Sequence, residues 1–215
     1  MRSNRFIQVV EEHRVMRIIA GKYARRKLFS PKGHLTRPTM SQTRESLFHL
    51  VTSRMDLRGA HVLDLFAGTG AIGLEALSRG AETVTFVEKV GRVLKFARRN
   101  AAELGVEDQC IFLRADAVKY LRRYSGPPFD FIVADPPYDL DAMPEMPDLA
   151  LPHVAPGGLF ILEHDKHIFF DENPRHPNLD TCRPYGRTFV SVFRPSPVGG
   201  DGEEASDAAN ESEAP

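Results

Sequence analysis

From residue 61 onward, short apolar runs alternate with stretches whose apolar residues recur every three or four positions, the pattern of a parallel sheet covered by helices. Runs at 61–66, 83–88, 110–116, 129–135 and 159–164 read as strands. The stretches 71–79, 90–104, 117–124 and 144–153 read as the helices between them, the last weakened by Pro144, Pro147 and Pro152. After the fifth strand, NLDTCRPYG and RTFVSVFR read as two antiparallel strands turning at Gly186. Near the start, MRIIAGKYARRKLFSP alternates apolar and basic residues around Gly21, as a two-stranded ribbon with one basic face would. Thr39 and Gln42 then form a capping-box signal after Pro38, and Leu47, Phe48, Val51 and Met55 give the next helix an apolar stripe.

A chain of 215 residues with 42% hydrophobic content holds one full-sized core with small appendages. The pattern divides it into an extension at 1–15, a basic ribbon and helix at 16–58, an α/β domain at 59–196, and a tail at 197–215. The tail, small, acidic and lacking large apolar groups, is expected to be disordered. A net charge of −1 hides an asymmetry: residues 1–59 carry 13 Lys/Arg against 4 Asp/Glu, 60–198 carry 15 against 19, and 199–215 carry none against 6. Such separation favours nucleic-acid binding, although a solvated charged surface fits the count equally. The sequence has no apolar run of membrane-spanning length and no signal-peptide core, so a cytoplasmic protein with no membrane contact is expected. Cys110 and Cys182 lack metal-ligand or disulfide-framework spacing and read as idle thiols, and no metal is expected.

Two motifs change the picture. DLFAGTGAIG at 64–73 joins the first sheet strand to its helix, and Gly68, Gly70 and Gly73 let backbone approach a ligand. The same spacing is the fingerprint of a dinucleotide site, and Glu88 at the end of the second strand suits the ribose of NAD or of any adenosine. The fourth strand ends in ADPPYDL at 134–140, where ligands of open α/β sheets bind. An exocyclic base amine is a poor nucleophile because its lone pair is delocalised into the ring. The Asp135 carboxylate and the Pro136 carbonyl can accept its two N–H bonds, Pro136 and Pro137 stiffen the turn, and Tyr138 offers a ring for base stacking. With the amine held in line behind an activated methyl group, no strong base is needed before attack. His164, near the same edge, reads as structural, as do His34, His49 and His153.

DLFAGTG together with ADPPY resembles the class I amino-methyltransferases. MRIIAGKYARRKL, RPTMSQTRESLF, LEHDKH and RPYGRTFVSVF narrow the resemblance, over about residues 16–194, to RsmD-type enzymes, which methylate a guanine N2 of bacterial 16S ribosomal RNA. The resemblance implies a Rossmann-like seven-stranded sheet of order 3-2-1-4-5-7-6. It also implies S-adenosylmethionine (AdoMet) as cofactor, with S-adenosylhomocysteine as product, and a monomer acting on 16S rRNA, alone or in an assembling small subunit. By position, Asp64, Phe66, Ala67, Gly68, Thr69 and Gly70 would surround the methionine part of AdoMet. Glu88 with Lys89 would meet the ribose side, and Asp116 with Ala117 the adenine. Asp135, Pro136, Pro137 and Tyr138 would hold the guanine, and Thr39, Arg44 and Glu45 would close over the cofactor. Arg25, Arg26, Lys27 and Arg37 would meet RNA phosphates. Other amino-methyltransferases acting on DNA adenine or cytosine or on protein glutamine stay open, as do a non-catalytic RNA-binding assembly factor and a dinucleotide oxidoreductase.

Overall fold

A computed structural model describes residues 12–31, 38–172, 174–186 and 188–196. Arg37, His34, most of the 1–15 extension and the 197–215 tail lie outside them. Strands β1 (Glu12–Arg17) and β2 (Lys27–Pro31) pair antiparallel as the ribbon, and α1 (Pro38–Thr52) follows. The ribbon's first strand starts upstream of Met16, so it reaches into the stretch read as an extension. The main domain runs β3 (His61–Leu65), α2 (Ala71–Ser78), β4 (Thr83–Val87), α3 (Gly91–Leu104), β5 (Cys110–Leu113), α4 (Ala117–Arg123), β6 (Phe129–Ala134), α5 (Met146–Ala150), β7 (Val154–Asp165), β8 (Leu179–Tyr185) and β9 (Thr188–Phe193).

These strands form one seven-stranded sheet in the order β5-β4-β3-β6-β7-β9-β8. Counted from β3, that is the expected 3-2-1-4-5-7-6. β5, β4, β3, β6 and β7 pair in parallel, and β9 runs antiparallel between β7 and β8. The sheet is apolar on both faces because helices cover both. Val62, Val133, Ile161 and Val190 face a cluster containing Leu47, Phe48 and Val51 of α1, which places the expected stripe of that helix in the core. Leu63, Ile132, Ala134 and Leu162 face the other way, with Leu121 of α4 and Met146 of α5. The 144–153 stretch is shorter as helix than expected: it breaks into a 3-10 turn at Met143–Glu145, the five-residue α5 and a second 3-10 turn at Leu151–His153. Its prolines lack the N–H that a continuous helix would need. β7 in turn begins at Val154, five residues before the apolar run that announced it.

The ribbon is fastened to the domain at the far end of α2. Gly21 sits against Ser78 so closely that an added Cβ would lie 1.8 Å from the Ser78 carbonyl oxygen, and its φ of +81 suits glycine alone. Lys22 N–H donates to that carbonyl at 2.7 Å, and Tyr23 N–H to Ser78 Oγ at 3.0 Å. Glu75, fully buried, accepts from the backbone of Ile19 at 2.7 Å and Ala20 at 2.9 Å and from Arg79 at 2.9 Å. A buried carboxylate persists only when so satisfied.

Candidate active site

Strand register builds the site. Asp64 pairs with Phe86 on one side and Val133 on the other, and Val133 pairs with Ile161, so these four form a row across one face of the sheet. Side chains return to the same face every second residue. Two positions further on, where the strands end, the next row therefore brings Glu88, Asp135 and Glu163 to one edge. Neighbouring strands lie ~4.8 Å apart, so Asp135 and Glu163 stand one strand spacing apart.

The glycine-rich turn occupies the gap in that row above β3. Phe66 turns the chain with a φ of +58, a conformation that costs a non-glycine residue about 1 kcal/mol or more and collects at functional turns. Gly70, at φ +78, stands at the N-terminus of α2, and its N–H closes the turn on the Ala67 carbonyl at 2.7 Å. Gly73 holds the helix against the sheet: a Cβ there would come within 2.4 Å of the Phe86 ring. Both oxygens of Glu88 brace the turn, Oε2 accepting from Gly68 N–H at 3.0 Å and Oε1 from Val90 N–H at 2.7 Å. Asn100 braces it from behind, donating to the Thr69 carbonyl at 2.9 Å while it exchanges hydrogen bonds with the backbone of Phe29 in β2. The amide side chain of a helix residue thus ties the ribbon to the turn.

Asp64 is buried beneath the row and accepts from Gly73 N–H at 2.9 Å. Burial outweighs that bond and, with the charges of Asp135 and Glu88, pushes its carboxyl up to about 7. Asp135 is walled in by the surrounding strands yet open to solvent at the mouth, and this partial desolvation raises its carboxyl above the ordinary range. Half-buried Glu163 is raised too, first by burial and then by the Asp135 charge, against a hydrogen bond from Thr188. Pro136 is buried, Tyr138 is 62% exposed, and Leu140 N–H closes the turn on the Pro137 carbonyl at 3.1 Å.

On the other side of Glu88, Lys89 pairs with Asp116 at 3.1 Å, and Asp116 caps α4 by accepting from Lys119 N–H at 3.1 Å. Ala117 is the buried first residue of that helix. The structure thus gathers the residues read for cofactor and base around one carboxyl edge, apart from those of α1. Thr39 lies in the first turn of α1. Arg44 is buried in the joint between α1, the ribbon and α2, where its guanidinium donates to the Arg17 carbonyl at 2.5 Å and its Nε meets no partner. Glu45 is exposed on α1. Arg25, Arg26 and Lys27 stand at the ribbon tip, at the end of the domain opposite the carboxyl edge, because α2 carries the chain away from that edge before Gly21 meets it.

Glu163 was not singled out from the sequence, although it carries the same signal as Asp135, a carboxylate ending an apolar strand. Its alignment with Asp135 follows only from register. His164 is structural: its buried ring bonds Ser191 Oγ at 2.8 Å and the Asp165 carbonyl at 3.0 Å, and burial holds its pKa down. Burial raises both cysteine thiols, Cys110 to about 12, which keeps them protonated. Among the described residues no group of acidic, His and Cys side chains could hold a metal, and no helix is long and apolar enough to cross a membrane.

The donor set discriminates between cofactors. A dinucleotide would bring an anionic pyrophosphate to a turn bordered by Asp64, Glu88 and Asp135, whereas AdoMet would bring a sulfonium and an ammonium. The space before Gly68, where an added Cβ would meet nothing nearer than the Phe66 carbonyl oxygen at 3.9 Å, leaves room for such a group.

A sheet of this order, with a glycine turn on its first strand, is the Rossmann-like fold of class I methyltransferases. A solved Escherichia coli structure, provisionally named methyltransferase yhhF, matches it at 29% identity with a TM-score of 0.72, over 84% of this chain and 97% of that one. The chain belongs to the family described as "Conserved hypothetical protein 95", whose model matches residues 16–194. A Bacillus subtilis protein with the provisional name rRNA methyltransferase YlbH is 31% identical over 185 residues, 83% of this chain and 98% of the relative. Ribosomal RNA small subunit methyltransferase D of Haemophilus influenzae is 30% identical over 164 residues, 74% of this chain and 84% of the relative.

Proposed function

We propose that this chain transfers a methyl group from AdoMet to the exocyclic N2 amine of a guanine in 16S ribosomal RNA. The observation that carries the reading is the Asp135–Tyr138 turn, held level with Glu163 and one strand from the glycine turn. The relatives' names, which speak of rRNA methylation, supply the substrate class.

Asp64, the 66–70 turn, Glu88 and the Asp116–Ala117 corner would hold AdoMet, which would supply a methyl group already activated on a sulfonium. The protein supplies position and a proton acceptor. Tyr138 stacks on the base, while the Asp135 carboxylate and the Pro136 carbonyl accept the two amine hydrogens and turn the nitrogen lone pair toward the methyl group. As the nitrogen–methyl bond forms and the sulfur–methyl bond breaks, the nitrogen loses a proton to Asp135. Glu163 shares that proton before it reaches solvent.

The test incubates the protein with labelled AdoMet and 16S rRNA or small subunits from cells lacking it, then digests the RNA and identifies the labelled nucleoside. N2-methylguanosine is the expected product. Label on adenine, on cytosine or on protein, or no label at all, would overturn the reading.

A further inference from the structure

Helix α3 begins beside the carboxyl edge and ends beside the ribbon. Its first residue, Gly91, lies against Arg114, which follows β5 and stands level with Glu88 in the strand register. At its other end the Glu103 carbonyl receives the Arg26 guanidinium, and midway Arg99 stacks on the ring of Phe29 in β2, 3.6 Å from its centroid. At 1.5 Å per residue its fourteen residues span ~21 Å. Arg92, Lys95 and Arg98 recur at three-residue steps and are exposed on one side of the helix, between the edge strand and the ribbon.

These cations are not neutralised. Arg98 uses its guanidinium on the Phe112 ring and carbonyl, and Arg92, Lys95, Arg98, Arg114, Arg25, Arg26 and Lys27 make no ion pair among the described residues. Elsewhere the same residue types are paired: Arg54 with Asp180, Arg79 with Glu75, Lys89 with Asp116, Arg122 with Glu145. A solvated helix face ordinarily intersperses both signs, yet the α3 sequence carries four basic residues and one acidic.

We infer that the exposed face of α3 is a phosphate track that carries the RNA backbone from the β5 end of the carboxyl edge to the ribbon tip. The inference rests on the RNA-methyltransferase reading above and adds a surface which that reading leaves unassigned. Without such a surface, the ribbon tip and the mouth are separated by the length of the domain. With it, Arg114, Arg92, Lys95, Arg98 and Arg26 form one cationic line that a polyanion can follow. The line reads no base, since phosphate contacts fix register and the mouth chooses the nucleotide.

The experiment measures binding of protein-free 16S rRNA, from cells lacking the protein, as a function of salt. Each phosphate contact contributes about 0.7–0.9 to the slope of log K against log salt. The combined Arg92→Gln, Lys95→Gln, Arg98→Gln variant should therefore lose roughly 2.1–2.7 of slope. Its AdoMet affinity should match the wild type and its Tm should fall only by the loss of the Arg98–Phe112 contact, whereas Lys95→Gln alone should keep the wild-type Tm and lose somewhat under 1 of slope. Neutralising Arg25, Arg26 and Lys27 should give a separate loss of similar size, additive with the first. An unchanged slope in the α3 variants would overturn the track. The slope is read without methyl transfer, so a missing nucleoside product overturns the functional reading and not the track.

Discussion

The mouth of this domain and its flank carry opposite charge, and they are built in different ways. The mouth concentrates carboxylates: Asp64 buried, with Glu88, Asp135 and Glu163 in a row above it. The flank, formed by α3 and the ribbon tip, concentrates cations, of which Arg92, Lys95, Arg98, Arg25, Arg26 and Lys27 make no ion pair among the described residues. An RNA backbone is repelled by the first and attracted by the second. The difference implies a division of labour in which the flank supplies affinity, while the mouth admits only the neutral base and the cationic cofactor. Each region should then be breakable alone.

The largest expected effect falls on the mouth. Asp135→Ala should lower turnover by about 10²-fold or more, because it removes both an acceptor for the amine and the destination of its proton. RNA affinity and its salt slope should stay within error of the wild type, and AdoMet affinity within a few fold. Single-turnover transfer, calorimetry and filter binding separate these quantities. If RNA binding collapsed together with turnover, the two regions would not be independent.

Tyr138 sharpens the comparison, since of the mouth residues it is the one expected to contribute most to RNA affinity. Tyr138→Ala should weaken binding by roughly 1–3 kcal/mol, the loss of one stacked base, without changing the salt slope. Tyr138→Phe should be mild, because the ring and not the hydroxyl does the stacking. Equal losses in the two variants would instead assign the interaction to the hydroxyl.

Both halves of the contrast are partly written in the sequence, at different depths. Asp135 and Glu88 are legible because each ends an apolar strand, and the glycine turn because a strand-to-helix junction is a local feature. The row is not legible. That Glu163 stands level with Asp135 depends on β6 and β7 pairing Ala134 with Leu162, a register that no local pattern records. The basic excess of the first 59 residues is visible as a count, yet its location depends on Gly21 meeting Ser78, 57 positions along the chain. Arg44 makes the same point. The family resemblance implies a place for it over the cofactor, whereas its hydrogen bond to the Arg17 carbonyl arises from packing among three elements.

The smallest effect, and the finest test of the mouth, concerns Glu163→Gln. Burial raises both Asp135 and Glu163, and the Asp135 charge raises Glu163 further, a repulsion that is reciprocal whenever both are ionised. Asp135 must be ionised to accept the amine hydrogens, and the rate should therefore rise with pH as Asp135 loses its proton. Replacing Glu163 by a neutral isostere removes a like charge, lowers the Asp135 pKa and moves the acidic limb of the pH–rate profile to lower pH. On the alkaline plateau the rate should fall only a few fold, the share of proton relay that Glu163 provides. Stability gives an independent sign. A carboxyl whose pKa is raised on folding costs nothing below its unfolded value and destabilises progressively as pH climbs from there through the raised value. The wild type should accordingly lose Tm across that window relative to Glu163→Gln, which has no charge to bury. A variant whose rate drops equally at every pH, with the limb unmoved, would reduce Glu163 to a structural partner of Thr188 and leave Asp135 to act without it.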